Sequence, residues 1–303
     1  MSGIVRALRE SFVPLLGVLV GLIVLVAWLD GKAADLARRE TVIRLEPALA
    51  SWDPSRLTEN GIVESAAGAA LEPSDRPEIV AEREAARRGD LEGAGKLLAD
   101  ALAKAPEDAQ ILAESGVIAL RRGDLDAAAR FLDQALARNP GDYSASFNRG
   151  LVAQRAGQVD LARDHYRRAL ERRSSSFDAR FNLGLLELGA GRLEDAAAAF
   201  EQAASSGANA NRARALFSLG VTQARMGQDD KALATYDKAI EYQPTYLLPR
   251  YNQAVIHASR PDAASKEKAA RLVAALVALA PDFAPAWFLQ GRMASTAGDK
   301  EAA

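Results

Sequence analysis

The chain contains no cysteine. That excludes disulfides, thiolate metal sites, a cysteine nucleophile, c-type haem attachment and a lipidated N-terminal cysteine. Aromatic residues are scarce, at 6%, and there are two histidines, His165 and His257, far apart in sequence. Zinc-ligand spacing, a P-loop, a dinucleotide fingerprint and a nucleophile elbow are all missing. An enzyme therefore has no residue to rest on, and neither cofactor nor metal is expected. The formal charge of −2 over 303 residues lacks the basic excess that marks nucleic-acid binders. What the chain has is apolar content of 49%, mostly Ala and Leu, both strong helix formers.

One long hydrophobic run is present. Phe12 to Leu29 carries no charge over eighteen residues. As a helix it spans roughly 27 Å at about 1.5 Å per residue, close to the hydrocarbon thickness of a bilayer. Arg6 and Arg9 precede it, Asp30 and Lys32 follow it, and Trp28 sits where an interfacial aromatic belongs. Pro14 falls in the first turn, where its missing N–H costs little. A cleaved leader is the rival reading. The run exceeds the usual apolar core of such a leader, and Gly31-Lys32-Ala33 is a poor cleavage site. The expectation is a short tail (1–11), a retained transmembrane anchor (12–29), and a juxtamembrane helix plus linker (30–74). A short basic tail before a long domain places the rest of the chain across the membrane, in the periplasm of a bacterial inner-membrane protein. The count of Lys and Arg after the span (Lys32, Arg38, Arg39, Arg44) points the other way. Gly17 and Gly21 form a small-xxx-small pattern that lets two such helices pack as a homodimer.

From residue 75 the chain becomes periodic. Turn glycines Gly89, Gly123, Gly157, Gly191 and Gly227 recur at spacings of 34, 34, 34 and 36. Five residues after each stands Ala94, Ala128, Ala162, Ala196 and Ala232. Four further on comes Leu98, Leu132, Tyr166, Phe200 and Tyr236, and three beyond that Ala101, Ala135, Ala169, Ala203 and Ala239. Gly116, Gly150, Gly184 and Gly220 occupy the eighth position of their units, and Pro106, Pro140 and Pro244 close several.

This pattern of Gly at 8 and 15, Ala at 20 and 27, a large side chain at 24 and Pro at 32 resembles the tetratricopeptide repeat (TPR) family. The resemblance implies an all-α, right-handed solenoid of six helix pairs starting near residues 75, 109, 143, 177, 213 and 247, with a partial unit at 284. Small residues allow close helix approach, the residue at 24 fills the space between helices, and stacking buries the faces that one pair cannot bury alone. Two extra residues near 205–211 and three near 259–265 are expected to lengthen loops. Two Arg-Gly-Asp tripeptides, at Arg88 and Arg122, lie at inter-helix turns and read as turn chemistry rather than a recognition signal.

In TPR domains the first helix of each repeat lines a concave groove, so position 5 (Phe147, Phe181, Phe217, Tyr251), position 6 (Asn148, Asn182, Ser218, Asn252) and position 9 (Leu151, Leu185) become candidate binding residues. Asn offers donor and acceptor together, which suits gripping a peptide backbone. The same residues also serve as common fold-forming consensus positions. The function implied is a membrane-anchored scaffold or assembly factor for a protein or peptide partner, or a chaperone-like accessory of export or envelope-protein maturation. The last helix, with Trp287 and Phe288, is a second route to a homodimer.

Overall fold

The computed structural model describes residues 76–297. The expected anchor and linker, with Gly17 and Gly21, lie outside them. Among the described residues no helix is long and apolar enough to cross a membrane.

Thirteen α-helices and no strands make up the described residues. They run α1 (Pro77–Arg87), α2 (Leu91–Lys104), α3 (Ala109–Arg121), α4 (Leu125–Arg138), α5 (Tyr143–Arg155), α6 (Val159–Arg172), α7 (Phe177–Gly189), α8 (Leu193–Ser206), α9 (Asn209–Arg225), α10 (Asp229–Tyr242), α11 (Leu247–Ser259), α12 (Ala263–Leu279) and α13 (Ala284–Ala297). Odd-numbered helices are the first of each pair and even-numbered helices the second.

The first five pairs are made by one recurrent turn. Gly89, at φ 83°, ends α1 in the left-handed region, where glycine carries no steric penalty. Its N–H donates to the Ala86 carbonyl, and the Asp90 N–H donates to the Ala85 carbonyl. These two bonds form a Schellman motif that satisfies the orphan carbonyls at the helix end. The Asp90 carboxylate then accepts from the Gly93 N–H at 2.8 Å and caps α2. Asp124 repeats this at α4. The two Arg-Gly-Asp tripeptides are thus a chain reversal followed by an N-cap.

The glycines at position 8 are set by packing. A Cβ on Gly150 would lie 2.7 Å from Tyr166, and one on Gly184 would lie 2.7 Å from Phe200, so only hydrogen fits between first and second helix. Tyr166, Phe200 and Tyr236 are completely buried there. The sixth pair has no turn glycine. Arg260 stays extended, and Asp262 caps α12 through the Ser265 N–H at 2.7 Å.

Both insertions correct the sequence expectation. The extra residues do not lengthen loops but become helix. α9 and α12 run to 17 residues, where their counterparts α5 and α10 have 13 and 14. Helix satisfies the inserted backbone internally, whereas a longer loop leaves that to water.

Candidate binding face

Consecutive first helices approach one another closely, α1 to α3, α3 to α5, α7 to α9, α9 to α11 and α11 to α13. The second helices do not, so the first helices line the inner side of the curve. α5 and α7 share one core cluster, in which Phe147 and Leu151 lie with Ala179 and Leu186, and the Tyr143 hydroxyl bonds Ser176 at the start of α7 at 2.6 Å.

One feature marks this junction. At the end of three first helices an arginine reaches back to the preceding repeat, while α7 and α11 have Gly189 and Ser259 at the same position. Arg121 donates to the Ala86 carbonyl at 3.0 Å, Arg155 to the Leu120 carbonyl at 3.3 Å, and Arg225 to the Leu188 carbonyl at 3.4 Å. Each of these carbonyls already accepts the turn-glycine N–H, so the arginine fills its second lone pair. The residue at this position in α7 is Gly189, and the Gln154 carbonyl of α5 has no arginine from α7 to receive. Position 13 was not singled out in the sequence, although an Arg recurring at 121, 155 and 225 with Gly at 189 was there to be read.

The expected groove residues occupy the inner face, but they are not open to solvent. Phe147, Phe181, Phe217 and Tyr251 are all buried. Phe147 packs on Tyr166 with centroids 5.7 Å apart, Phe181 on Phe200 at 5.5 Å, and Phe217 on Tyr236 at 6.1 Å. This is core packing between position 5 and position 24. Leu151 is buried as well, while Leu185 stays half-buried. Among the position-9 residues Val117, Leu151, Leu185, Val221 and Val255, Leu185 alone is not buried, and it sits in the helix that ends in Gly189.

The amide row likewise turns inward rather than into an open groove. Asn148 donates from Nδ2 to the Ser144 carbonyl at 2.9 Å, Asn182 to the Asp178 carbonyl at 2.9 Å, and Asn252 to the Tyr236 hydroxyl at 3.1 Å. Ser218 is buried beside them in sequence register. Asn148 is 0% exposed and Asn182 9%. The Asn148 Oδ1 is buried without a hydrogen-bond partner. A buried, unmatched carbonyl of this kind costs roughly 1–3 kcal/mol.

Charged groups anchor the N-terminal repeats. Glu82 stands at position 8, where later repeats have glycine, and is buried with Oε2 unpartnered. Burial first, then the neighbouring Glu114 carboxylate, pushes its acid up to about 8 against the pull of Arg83 and Arg121. Glu82 is therefore mostly protonated at neutral pH. Glu114 is itself raised by burial, and its bond from Arg83 Nη2 at 2.6 Å opposes that. Farther along, His165 is buried, and desolvation followed by Arg149 and Arg168 lowers it to about 4, so it is neutral. Between the third and fourth repeats the buried Glu187 receives Arg163 Nε at 2.7 Å and is also paired with Arg192. Among the described residues no cluster of three potential ligands could hold a metal ion.

Two family models, both described as tetratricopeptide repeat, match the chain, one over residues 147–211 and 181–246 and the other over 85–147. Together they span just over half of it. The chain belongs to the tetratricopeptide-repeat family. No curated protein matches it. Among solved structures the TPR array is similar to YrrB, described as a TPR protein with an unusual peptide-binding site. The likeness has a TM-score of 0.53 at 22% identity, over 63% of this chain and 96% of that one. It is similar to PilF of Pseudomonas aeruginosa, with a TM-score of 0.53 at 20% identity, over 64% and 86%. It is also similar to MamA from Desulfovibrio magneticus RS-1, with a TM-score of 0.51 at 22% identity, over 55% and 94%. These likenesses describe the fold.

Proposed function

We propose that this TPR protein is a membrane-anchored scaffold that holds an extended peptide segment of a partner protein against its inner face, entering between α5 and α7. The observation that carries this reading is one junction among the first five repeats where the arginine tie is missing and the row of position-9 residues is incompletely covered. There Leu185 is the half-buried member of its row, and Asn182 is the most exposed of the three asparagines. An extended peptide needs backbone donors and acceptors alternating with apolar contact. Asn182 supplies the first and Leu185 the second. A protein described as peptide-binding, YrrB, shares the architecture. Residues 12–29 would hold the array at a membrane, with the repeats on the far side from the short basic tail.

The test is capture of the partner from detergent-solubilised membranes, with mass spectrometry to identify it. An Asn182→Ala, Leu185→Asp variant should lose capture. A control with Arg130, Arg167 and Arg168 changed to Ala, all exposed on second helices, should retain it. Melting of both variants is measured alongside. A folded Asn182→Ala, Leu185→Asp protein that captures as well as wild type, beside a control that does not, places binding on the outer face and ends this reading. A phosphatase fused after residue 303 should be active outside the cytoplasm; an inactive one reverses the proposed orientation.

A further inference from the structure

Resting on the inner-face reading above, we infer that the bound segment carries an arginine, whose guanidinium seats on the Gln154 carbonyl in the gap at Gly189. The chain itself shows how such a seat is filled. Arg121, Arg155 and Arg225 each place a guanidinium on the carbonyl of the last-but-one residue of the preceding first helix, Ala86, Leu120 and Leu188. Gln154 is the corresponding residue of α5. Its carbonyl accepts the Gly157 N–H at 3.0 Å, and its side chain is held by the Tyr166 hydroxyl, which donates to Oε1 at 2.6 Å. A carbonyl has two lone pairs, so Gln154 keeps one where the other three receive an arginine. The C-terminal end of a helix also favours a cation.

The space over this carbonyl is open. Gly189 is exposed, and a Cβ built on it meets nothing within 4 Å. The other first helix between α3 and α11 without the arginine is α11, which ends in Ser259. There the next residue, Arg260, donates to Asp230 of α10 at 2.5 Å and crosses that junction in its place. α7 is followed by Ala190, whose methyl group can make no such bond. A partner's arginine would continue the row that Arg121 and Arg155 begin in successive repeats.

The neighbouring residues set what accompanies the arginine. Asn182, Leu185 and Gly189 stand at spacings of three and four, so they share one stripe of α7. Leu185 and Gly189 lie about 6 Å apart along the helix axis. In an extended segment, alternate side chains point the same way and recur about every 6.6 Å. A large apolar residue two positions from the arginine therefore meets Leu185, and Asn182 is left to the backbone beyond it.

The experiment uses the full chain in a non-ionic detergent and a synthetic nonapeptide with Leu-Ala-Arg at its centre. Two companion peptides carry citrulline or alanine in place of the arginine. Binding is read from broadening of the peptide NMR signals at up to about 1 mM peptide. The arginine peptide should bind at least about tenfold tighter than either companion. Citrulline keeps the shape and loses the charge, so that comparison tests the seat without altering the protein. Gly189→Arg should erase the advantage, because the chain's own arginine then takes the seat. Arg167→Ala with Arg168→Ala, both exposed on α6, should leave it. Equal binding of all three peptides, lost in Leu185→Asp, overturns the arginine seat and leaves the inner-face reading standing. An arginine advantage that persists in Gly189→Arg also overturns the seat, and one that persists in Leu185→Asp as well ends both readings. No binding of any of the three overturns the seat too.

Discussion

Gly189→Arg should stabilise the array and weaken peptide binding together. Gly189 is the last residue of α7, is exposed, and a Cβ added there meets nothing within 4 Å. Replacing glycine by a good helix former gains up to about 1 kcal/mol, less at a helix end. The arginine then stands where Arg121, Arg155 and Arg225 stand in their own helices, within reach of the Gln154 carbonyl. That carbonyl accepts the Gly157 N–H at 3.0 Å and has a second lone pair available for the incoming guanidinium. A hydrogen bond of this type nets about 0.5–1.5 kcal/mol after solvent exchange. The expected total is about 1–2 kcal/mol. Gly189→Ala isolates the helix contribution, so the difference between the two variants measures the tie. In a near one-dimensional array the gain belongs to one interface between repeats. Urea unfolding followed by circular dichroism should show it as a shifted midpoint, and hydrogen exchange as added protection in α5 and α7. Gly189→Arg no more stable than Gly189→Ala would refute the tie. A stabilised variant that still captures its partner fully would refute the idea that this junction must open for binding.

Gly184→Ala, five residues earlier in the same helix, should have the opposite sign. Its Cβ would press on Phe200, and overpacking costs about 1–3 kcal/mol, read as a lowered urea midpoint. Glu187→Ala should cost about 1.5–3 kcal/mol, since it removes the buried partner of Arg163 and leaves that guanidinium only the exposed Asp160; a melt indistinguishable from that of wild type would contradict this. Glu82 has a folded acid raised above its unfolded value of about 4.5, so its contribution is fully present below that pH and is lost as pH rises through about 8. Melting of wild type should therefore fall between pH 6 and 9, and Glu82→Gln should flatten that fall. His165 is depressed, so its contribution holds above about 6.5 and declines as pH drops towards 4. His165→Gln should remove part of the acid sensitivity, read by melting at pH 4 and 7.

The repeat was legible because two kinds of residue admit few alternatives. A left-handed turn favours glycine, and a close helix crossing favours a residue without Cβ, so Gly89 and Gly184 announce different constraints at fixed spacing. The residues at position 24 were equally clear, because Tyr166 and Phe200 are large and every flanking position 20 and 27 is alanine. What position 5 does was less clear. An aromatic at Phe147 or Phe181 satisfies both a groove and a core, and its partner at position 24 decides the matter only once the angle between helices is known. The insertions were misread for a related reason. Asn209 to Arg212 contains no strong breaker, and a polar segment between two periodic ones suits a loop and an extra helical turn alike. Packing of α9 against α8 selects helix.

The junction between α5 and α7 has a further consequence for how a rigid array admits a ligand. Where every repeat ties back to the last, the inner face is sealed by its own side chains, and a peptide would have to displace Phe147 or Phe217 from contacts 5.7–6.1 Å apart. Such displacement exposes aromatic area at roughly 25 cal/mol per Å², which a short peptide does not offset. At Gly189 the sequence omits both the side chain that would hold the junction shut and the bulk that would fill it. The fourth repeat keeps its own integrity through Phe181 on Phe200 and through Glu187 with Arg192, while Arg163 of α6 reaches Glu187 across the junction. Opening at α5 and α7 therefore has to release the Arg163 pair as well. Proteolysis or hydrogen exchange should find opening at this junction before either flanking repeat, and occupancy by a peptide should suppress it. Opening first at the α9 and α10 pair instead would show that the ion pairs of Glu187, not the missing arginine, govern where the array parts.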